Sequence, residues 1–168
     1  MNPQRDRGIR AEREACVLLG GLLGLDVHRR KNEGIPEDIG DLIGVPDTAI
    51  QISAVPCRHL AVAQRARTKI VDCAIQQARL GARHGVVLMR IDGNNQRPPA
   101  WRALVDVDQF AALDAGSVIP NPRTTLGQII IEADRWELAS FYSNCIIVCS
   151  LATWAATWNA LHATEVRT

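Results

Sequence analysis

Two short apolar runs, Gly40-Asp41-Leu42-Ile43 and Thr48-Ala49-Ile50-Gln51-Ile52-Ser53, decide the fold of this chain. Glycine and proline bound both runs, with a turn at Pro46-Asp47 between them, which predicts strands over residues 40–45 and 48–53. Because side chains alternate along a strand, Ile50 and Ile52 should face one side, and Gln51 and Ser53 the other. The pattern therefore sets one acid, Asp41, beside two polar side chains that share a face of the next strand.

A helix is predicted before these strands, from about Gly8 to Leu25. Its apolar residues recur every three or four positions, and Glu12 falls on the same stripe. An acid on an apolar face needs a partner, because an unpaired buried charge is unfavourable. Two interpretations stay open: Glu12 pairs with an arginine at the edge of the stripe, or it joins the other acids at a shared site.

The chain on either side of the two runs predicts an α/β fold. Residues 26–30 form a short strand candidate, and a long alanine-rich helix should span about Leu60 to Arg83, closed by Gly81 or Gly85. The helix lies between the strand at 48–53 and a fully apolar strand at 86–91, so it should connect two parallel strands. A further strand over Trp101–Val107 and a short helix capped by Asp108 and running to Ala115 complete the order.

A proline-containing stretch over residues 116–127 predicts a boundary between a domain at 1–115 and a C-terminal extension at 116–168. The extension should be largely helical, with a strand candidate at Ile129–Ile131 and tryptophans that serve as core or interface anchors. Residues 138–161 carry no formal charge but contain several polar side chains. We therefore expect a buried helix or strand pair there, and no contact with a membrane.

Composition places the chain among ordinary soluble globular proteins. It has 168 residues, of which 47% are hydrophobic and 22% charged, and its net charge of +1 does not mark the whole molecule as a polyanion binder. Basic residues do crowd the N-terminus and follow the first helix, on both sides of the acidic segment 33–47. The five cysteines are scattered, which predicts reduced thiols in a cytoplasmic protein without a zinc site or disulfides.

In the order of its elements and the position of its polar residues, residues 7–107 resemble the PD-(D/E)XK nuclease superfamily, and within it the small phage and archaeal Holliday junction resolvases. The matching residues are Gly8 with Glu12, the run Asp38-Ile39-Gly40-Asp41-Leu42, the run Ile50-Gln51-Ile52-Ser53, Gln76 and Gln77 on the long helix, and Arg90 at the end of the following strand. The resemblance implies a restriction-endonuclease-like mixed central sheet flanked by helices, with an α-β-β-β-α-β core. It also implies a homodimer that cleaves branched or duplex DNA with Mg²⁺ or Mn²⁺.

Under this resemblance the catalytic positions are Glu12, Asp41, Gln51 and Ser53, and the metal ligands are Asp41, Gln51 and Glu12. The chain departs from the family at two of them. Gln51 stands where the family has a second acid, so it offers an amide oxygen but no charge to Mg²⁺. Ser53 stands where the family has a lysine, and Lys69, Arg90 or Arg58 would have to replace that cation.

Three hypotheses follow. The first is a DNA-structure-selective endonuclease of the resolvase type, weakened or inactivated by Gln51 and Ser53. The second is a catalytically inactive nuclease-fold protein that binds DNA or assembles with proteins through its C-terminal extension, for example in a phage particle. The third is an unrelated α/β domain with Asp41 in a turn. Under the first two, the expected DNA contacts are Arg7, Arg10, Arg30, Lys31, Arg58, Lys69, Gln76 and Arg90.

Overall fold

The computed structural model describes residues 3–30, 40–94, 97–120, 125–139 and 145–165. The helices are α1 (Pro3–Leu23), α2 (His59–Leu80), α3 (Val107–Ala112), α4 (Leu126–Glu132) and α5 (Leu151–Glu165). The strands are β1 (His28–Arg29), β2 (Leu42–Ile43), β3 (Thr48–Val55), β4 (His84–Ile91), β5 (Ala100–Asp106), β6 (Ile119–Pro120), β7 (Glu137–Ala139) and β8 (Ile146–Ser150). The predicted order of elements up to α3 is confirmed.

A mixed six-stranded sheet, in the order β3-β4-β5-β8-β7-β6, forms the centre of this α/β fold. Strands β3 and β4 are parallel over their full length, with Thr48 opposite His84 and Val55 opposite Ile91. Helix α2 connects them, as predicted, and ends at Gly81, whose left-handed φ of 63° closes the helix. The β5 strand is antiparallel to both β4 and β8. Strand β3 stands first in the strand order and is therefore an edge of the sheet.

Helices cover both faces of this sheet. On one face, α1 and α5 pack against the even-numbered side chains of β3, including Ile50 and Ile52. On the other face, α2 and α4 cover Val55, Val87 and Met89. The predicted alternation along β3 is confirmed, and it turns Gln51 and Ser53 toward the α2 side.

The short strands β1 and β2 form a separate antiparallel pair beside the β3 edge. Gly40 lies at the entrance to β2 with a φ of 103°, a left-handed conformation that favours glycine. A Cβ at this position would also lie 3.2 Å from the Ile50 carbonyl oxygen. The next residue, Asp41, donates its backbone N–H to that same oxygen at 2.8 Å, while its own carbonyl accepts from Arg30. The pair is thus joined to the edge of the main sheet at Asp41.

The strands β6, β7 and β8, which all follow residue 116, belong to the same sheet as β3, β4 and β5. Strand β8 pairs with β5 from Ser150 opposite Arg102 to Ile146 opposite Asp106. Helix α5 follows at once and buries Trp154 and Trp158 in the core beneath α1. The described part of the expected C-terminal extension therefore supplies strands as well as helices, and it completes the core.

Two local predictions are wrong. The strand predicted at Ile129–Ile131 is part of α4, since Thr125 caps a helix there by accepting a hydrogen bond from the Gln128 N–H. The cap of α3 is Asp106, which accepts from the Gln109 N–H, and not Asp108.

All five cysteines are free thiols, with Cys73 and Cys149 buried. Within the described ranges, no helix combines the length and apolarity needed to cross a membrane.

Candidate functional site

The candidate site lies at the β3 edge, where Asp41, Gln51 and Gln76 form one chain of hydrogen bonds. One carboxylate oxygen of Asp41, Oδ2, accepts from both the Gln51 side-chain amide and the Ile52 backbone N–H. The amide oxygen of Gln51 accepts in turn from Nε2 of Gln76, at 2.6 Å. Gln51 and Gln76 are buried, at 3% and 2% exposure. A polar network of three side chains thus fills the space between β2, β3 and α2.

The direction of these hydrogen bonds matters for metal binding. Gln51 presents its nitrogen to Asp41, while its oxygen, the atom that could ligate a metal, faces α2 and is already engaged. The arrangement differs from the predicted one, in which Asp41 and Gln51 would both offer oxygens to an ion. A carboxylate in place of Gln51 would have no N–H to donate. The Gln51 amide therefore donates a hydrogen bond to one oxygen of the Asp41 carboxylate and adds no negative charge beside it.

Burial raises the pKa of the Asp41 carboxyl to about 6. This value is the net result of several effects: the negative charge of Glu12 adds to the rise caused by burial, while the hydrogen bond from Ile52, the charge of Lys69 and the hydrogen bond from Gln51 oppose it. Glu12 and Lys69 are therefore close enough to act on Asp41 electrostatically. The three charged side chains thus lie in one electrostatic neighbourhood.

Glu12 also has a direct partner. Its Oε2 accepts from Arg29 Nε at 2.6 Å and lies 2.5 Å from Arg29 Nη2. The two side chains are 22% and 31% exposed, so this ion pair is partly shielded from water. The interpretation in which Glu12 pairs with an arginine is confirmed, and Glu12 also lines the cleft described next.

A cleft of about 560 Å³ opens beside these residues, between α1, the end of β3 and α2. We call it the basic cleft, because Arg7, Arg65 and Lys69 line it and Glu12 is the only acid among its described lining residues. Its remaining polar side chains are Ser53, Gln64 and Thr68. Ser53 and Lys69 thus border one space, although Lys69 also forms an ion pair with Asp72 at 3.1 Å.

Three polar residues of the basic cleft were not among the predicted site residues: Gln64, Arg65 and Thr68. Together with Lys69 they occupy positions i, i+1, i+4 and i+5 of α2, beside its buried stripe of Val62, Ala66 and Cys73. Residues with this spacing lie on one strip of a helix surface. Helical periodicity applied to polar residues would have found them.

The predicted DNA contacts fall into two groups. Arg7, Arg10 and Arg58 are exposed, and Lys69 reaches the basic cleft. Two predictions need correction: Gln76 is buried behind Gln51, and Arg90 is held by Glu14 at 2.8 Å and by Asp92.

Two further predicted contacts, Arg30 and Lys31, follow β1. Arg30 is partly buried, and its Nε has no hydrogen-bond partner among the described residues. Lys31 lies outside the described residues.

The groups available for a metal are few. Among the described residues, no three histidine, cysteine, aspartate or glutamate side chains come together in a way that could hold an ion. Asp41 and Glu12 supply two carboxylates, one bonded by amides and the other by a guanidinium. Oxygen ligands for Mg²⁺ are usually drawn from carboxylates, and one oxygen of each of these two already has a hydrogen-bond donor.

Comparison with protein-family models, with curated proteins and with solved structures finds no match to this chain.

Proposed function

We propose that this chain is a DNA-binding protein with a restriction-endonuclease-like core, whose metal centre is weak or silent. The topology supports the fold proposal. A helix, a strand pair joined to the edge of β3, a crossover helix and a parallel strand follow in the order α1-β1-β2-β3-α2-β4. Asp41 and the pair Gln51 and Ser53 occupy the positions that the resemblance assigns to a nuclease centre.

The observation that carries the loss of catalysis is the hydrogen bond from the Gln51 amide to Asp41. In a metal-dependent nuclease, the metal lowers the pKa of a bound water and stabilises charge on phosphorus. In this chain, the Gln51 amide stands in place of the second acid and donates its N–H to Asp41. Ser53 stands in place of the lysine and provides no positive charge. Removing a single preorganised electrostatic group commonly costs about 10²–10³-fold in rate, and this chain lacks two.

The basic cleft supports the DNA-binding half of the proposal. Three cations line it, and the adjoining surface of α1 carries the exposed Arg10. Phosphate contacts from arginine and lysine position a protein on DNA without reading its sequence. A protein that binds through such a cleft should prefer a DNA shape rather than a base sequence.

The test is a binding and cleavage assay on a labelled four-way junction and on the matching duplex, in Mg²⁺ and in Mn²⁺. We expect both substrates to be bound and left intact. Arg65→Glu should weaken binding and reduce the slope of log Kd against log salt concentration by about one. Arg135→Glu is the matched control, because Arg135 is exposed but does not line the cleft. Equal binding by Arg65→Glu and Arg135→Glu would contradict the proposed interface.

A second candidate function, weak metal-dependent cleavage, is favoured by the closeness of Asp41, Glu12 and Lys69. Cleavage in Mn²⁺ that Asp41→Asn abolishes would establish this function. The substitution keeps an oxygen that can accept from Gln51 and Ile52 but removes the charge needed for a metal. Loss of activity in this variant would therefore separate catalysis from folding.

A further inference from the structure

A cluster of carboxylates repels the DNA phosphate that it must approach, so such a site needs cations before it can bind DNA tightly. Three features relieve this repulsion at the β3 edge. Gln51 is neutral, Glu12 is paired with Arg29, and the Asp41 carboxylate accepts two N–H donors. These side chains therefore reduce the carboxylate–phosphate repulsion that a metal ion would otherwise have to offset.

The charges on the basic cleft act in the same direction. Arg7, Arg65 and Lys69 line it, whereas Glu12, its one acid among the described lining residues, already has a guanidinium partner. Lys69 is paired with Asp72 at 3.1 Å, and Arg7 lies 3.6 Å from a carboxylate oxygen of Asp92. Among the described residues, Arg65 is the lining cation that no acid neutralises. An anion entering the cleft thus meets a net positive lining.

Hydrogen-bond donors suited to phosphate oxygens surround the same space. Ser53 and Thr68 contribute hydroxyl groups, and Gln64 contributes an amide. The backbone of β3 adds another donor. The Ile50 carbonyl and the Ile52 N–H both point to Asp41, away from β4. Because backbone groups alternate along a strand, the Ala54 N–H should point to the same outer edge. Ala54 lines the cleft there.

We propose that the basic cleft binds the phosphodiester backbone of DNA without a divalent metal ion, and that Gln51 is the residue that makes this binding metal-independent. The inference rests on the proposed DNA-binding function and deepens it. In the nucleases that this chain resembles, metal ions link the DNA phosphate to the acidic side chains of the site. In this chain, the Gln51 amide and the Arg29 guanidinium satisfy the carboxylates, and the arginines of the cleft meet the phosphate directly.

The experiment is a fluorescence anisotropy titration of a labelled duplex with the full chain, in EDTA and in Mg²⁺ at matched ionic strength. A duplex is the better probe because divalent ions change the shape of a branched substrate. We expect equal affinity in the two buffers, within about twofold, since the cleft is already positive. Binding that requires Mg²⁺ would overturn the inference and leave the DNA-binding proposal standing. Absence of binding in both buffers would overturn the proposed function itself.

Gln51→Glu tests the role assigned to this residue. Restoring the acid places two carboxylates side by side, so affinity in EDTA should fall about tenfold and return when Mg²⁺ is added. Gln128→Glu is the matched control, because it adds the same charge on α4, outside both the lining of the cleft and the hydrogen-bond network of Asp41, Gln51 and Gln76. A metal dependence that both variants acquire, or that neither acquires, would overturn the assignment. Circular dichroism of Gln51→Glu checks that it folds, and the wild-type titration decides metal independence without any variant.

Discussion

Replacing Asp41 by asparagine should stabilise the protein at neutral pH. Burial raises the pKa of this carboxyl from 3.8 to about 6. Between these values the folded state holds a proton that the unfolded chain has released. The contribution of Asp41 to the free energy of unfolding is therefore highest at low pH, where Asp41 is protonated in both states. It declines as pH rises from about 4 through about 6. Asparagine does not ionise, so the variant should not show this decline.

The size of the effect follows from the same shift. A rise of about two pKa units, at about 1.36 kcal/mol each, corresponds to about 3 kcal/mol of unfolding free energy lost by the wild type. The hydrogen bonds need not change, because Gln51 and Ile52 both donate to the single oxygen Oδ2, and one asparagine oxygen can accept from both. The difference between the two proteins should thus approach 3 kcal/mol above about pH 7 and nearly vanish near pH 4.

The assay is urea denaturation of both proteins in EDTA across this pH range. Subtracting the two stability curves removes every titrating group that they share. Parallel curves would refute the reasoning, because they would mean that folding leaves the pKa of Asp41 unchanged. A wild type that gains stability over the variant with rising pH would refute it more strongly, since it would mean that folding lowers this pKa.

Three further predictions concern the packing of the chain. Gly127→Ala should cost about 1–3 kcal/mol, since the new Cβ would lie 1.9 Å from the His59 carbonyl oxygen and force α4 away from α2; the measurement is urea denaturation followed by circular dichroism. Gly21→Ala, in a helix and with no atom within 4 Å of the added Cβ, should instead stabilise the protein by up to about 1 kcal/mol in the same assay. Trp154→Ala should cost about 3–5 kcal/mol in a single unfolding transition, because Trp154 is 1% exposed within the shared core; two separate transitions in thermal denaturation would show that the C-terminal residues fold by themselves.

The parts of the fold that were predictable depend on local patterns. The fully apolar strand β4, the long helix α2 and the alternation in β3 each follow from hydrophobic periodicity over several residues. The run Ile129-Ile130-Ile131 shows where such patterns fail, because three consecutive branched residues suit a buried strand as well as a buried helix. The helix is favoured by the Thr125 cap and by burial against α2. Burial in the tertiary structure therefore outweighs the β propensity of the three isoleucines.

The candidate site was predictable in position but not in chemistry. The spacing of Asp41 and Gln51 places them on neighbouring segments, and alternation sets Gln51 on the face that meets α2. The direction of the Gln51 amide could not be predicted, because it depends on Gln76, which is 25 residues away in sequence. The Glu12–Arg29 ion pair also depends on how α1 and β1 approach each other.

The presence of Asp41 is by itself a poor argument for metal chemistry in this chain. Its backbone joins the β1–β2 pair to β3, and its carboxylate accepts from Ile52 at a place where an edge strand lacks a neighbour. An acceptor oxygen at this position has a structural role in a protein with or without catalytic activity, and an asparagine could also supply that oxygen. Loss of function on replacing Asp41 by alanine would therefore combine a loosened edge with a lost ligand. The informative positions are Gln51 and Glu12, because their partners determine whether the carboxylates at this edge are open to a cation or already satisfied.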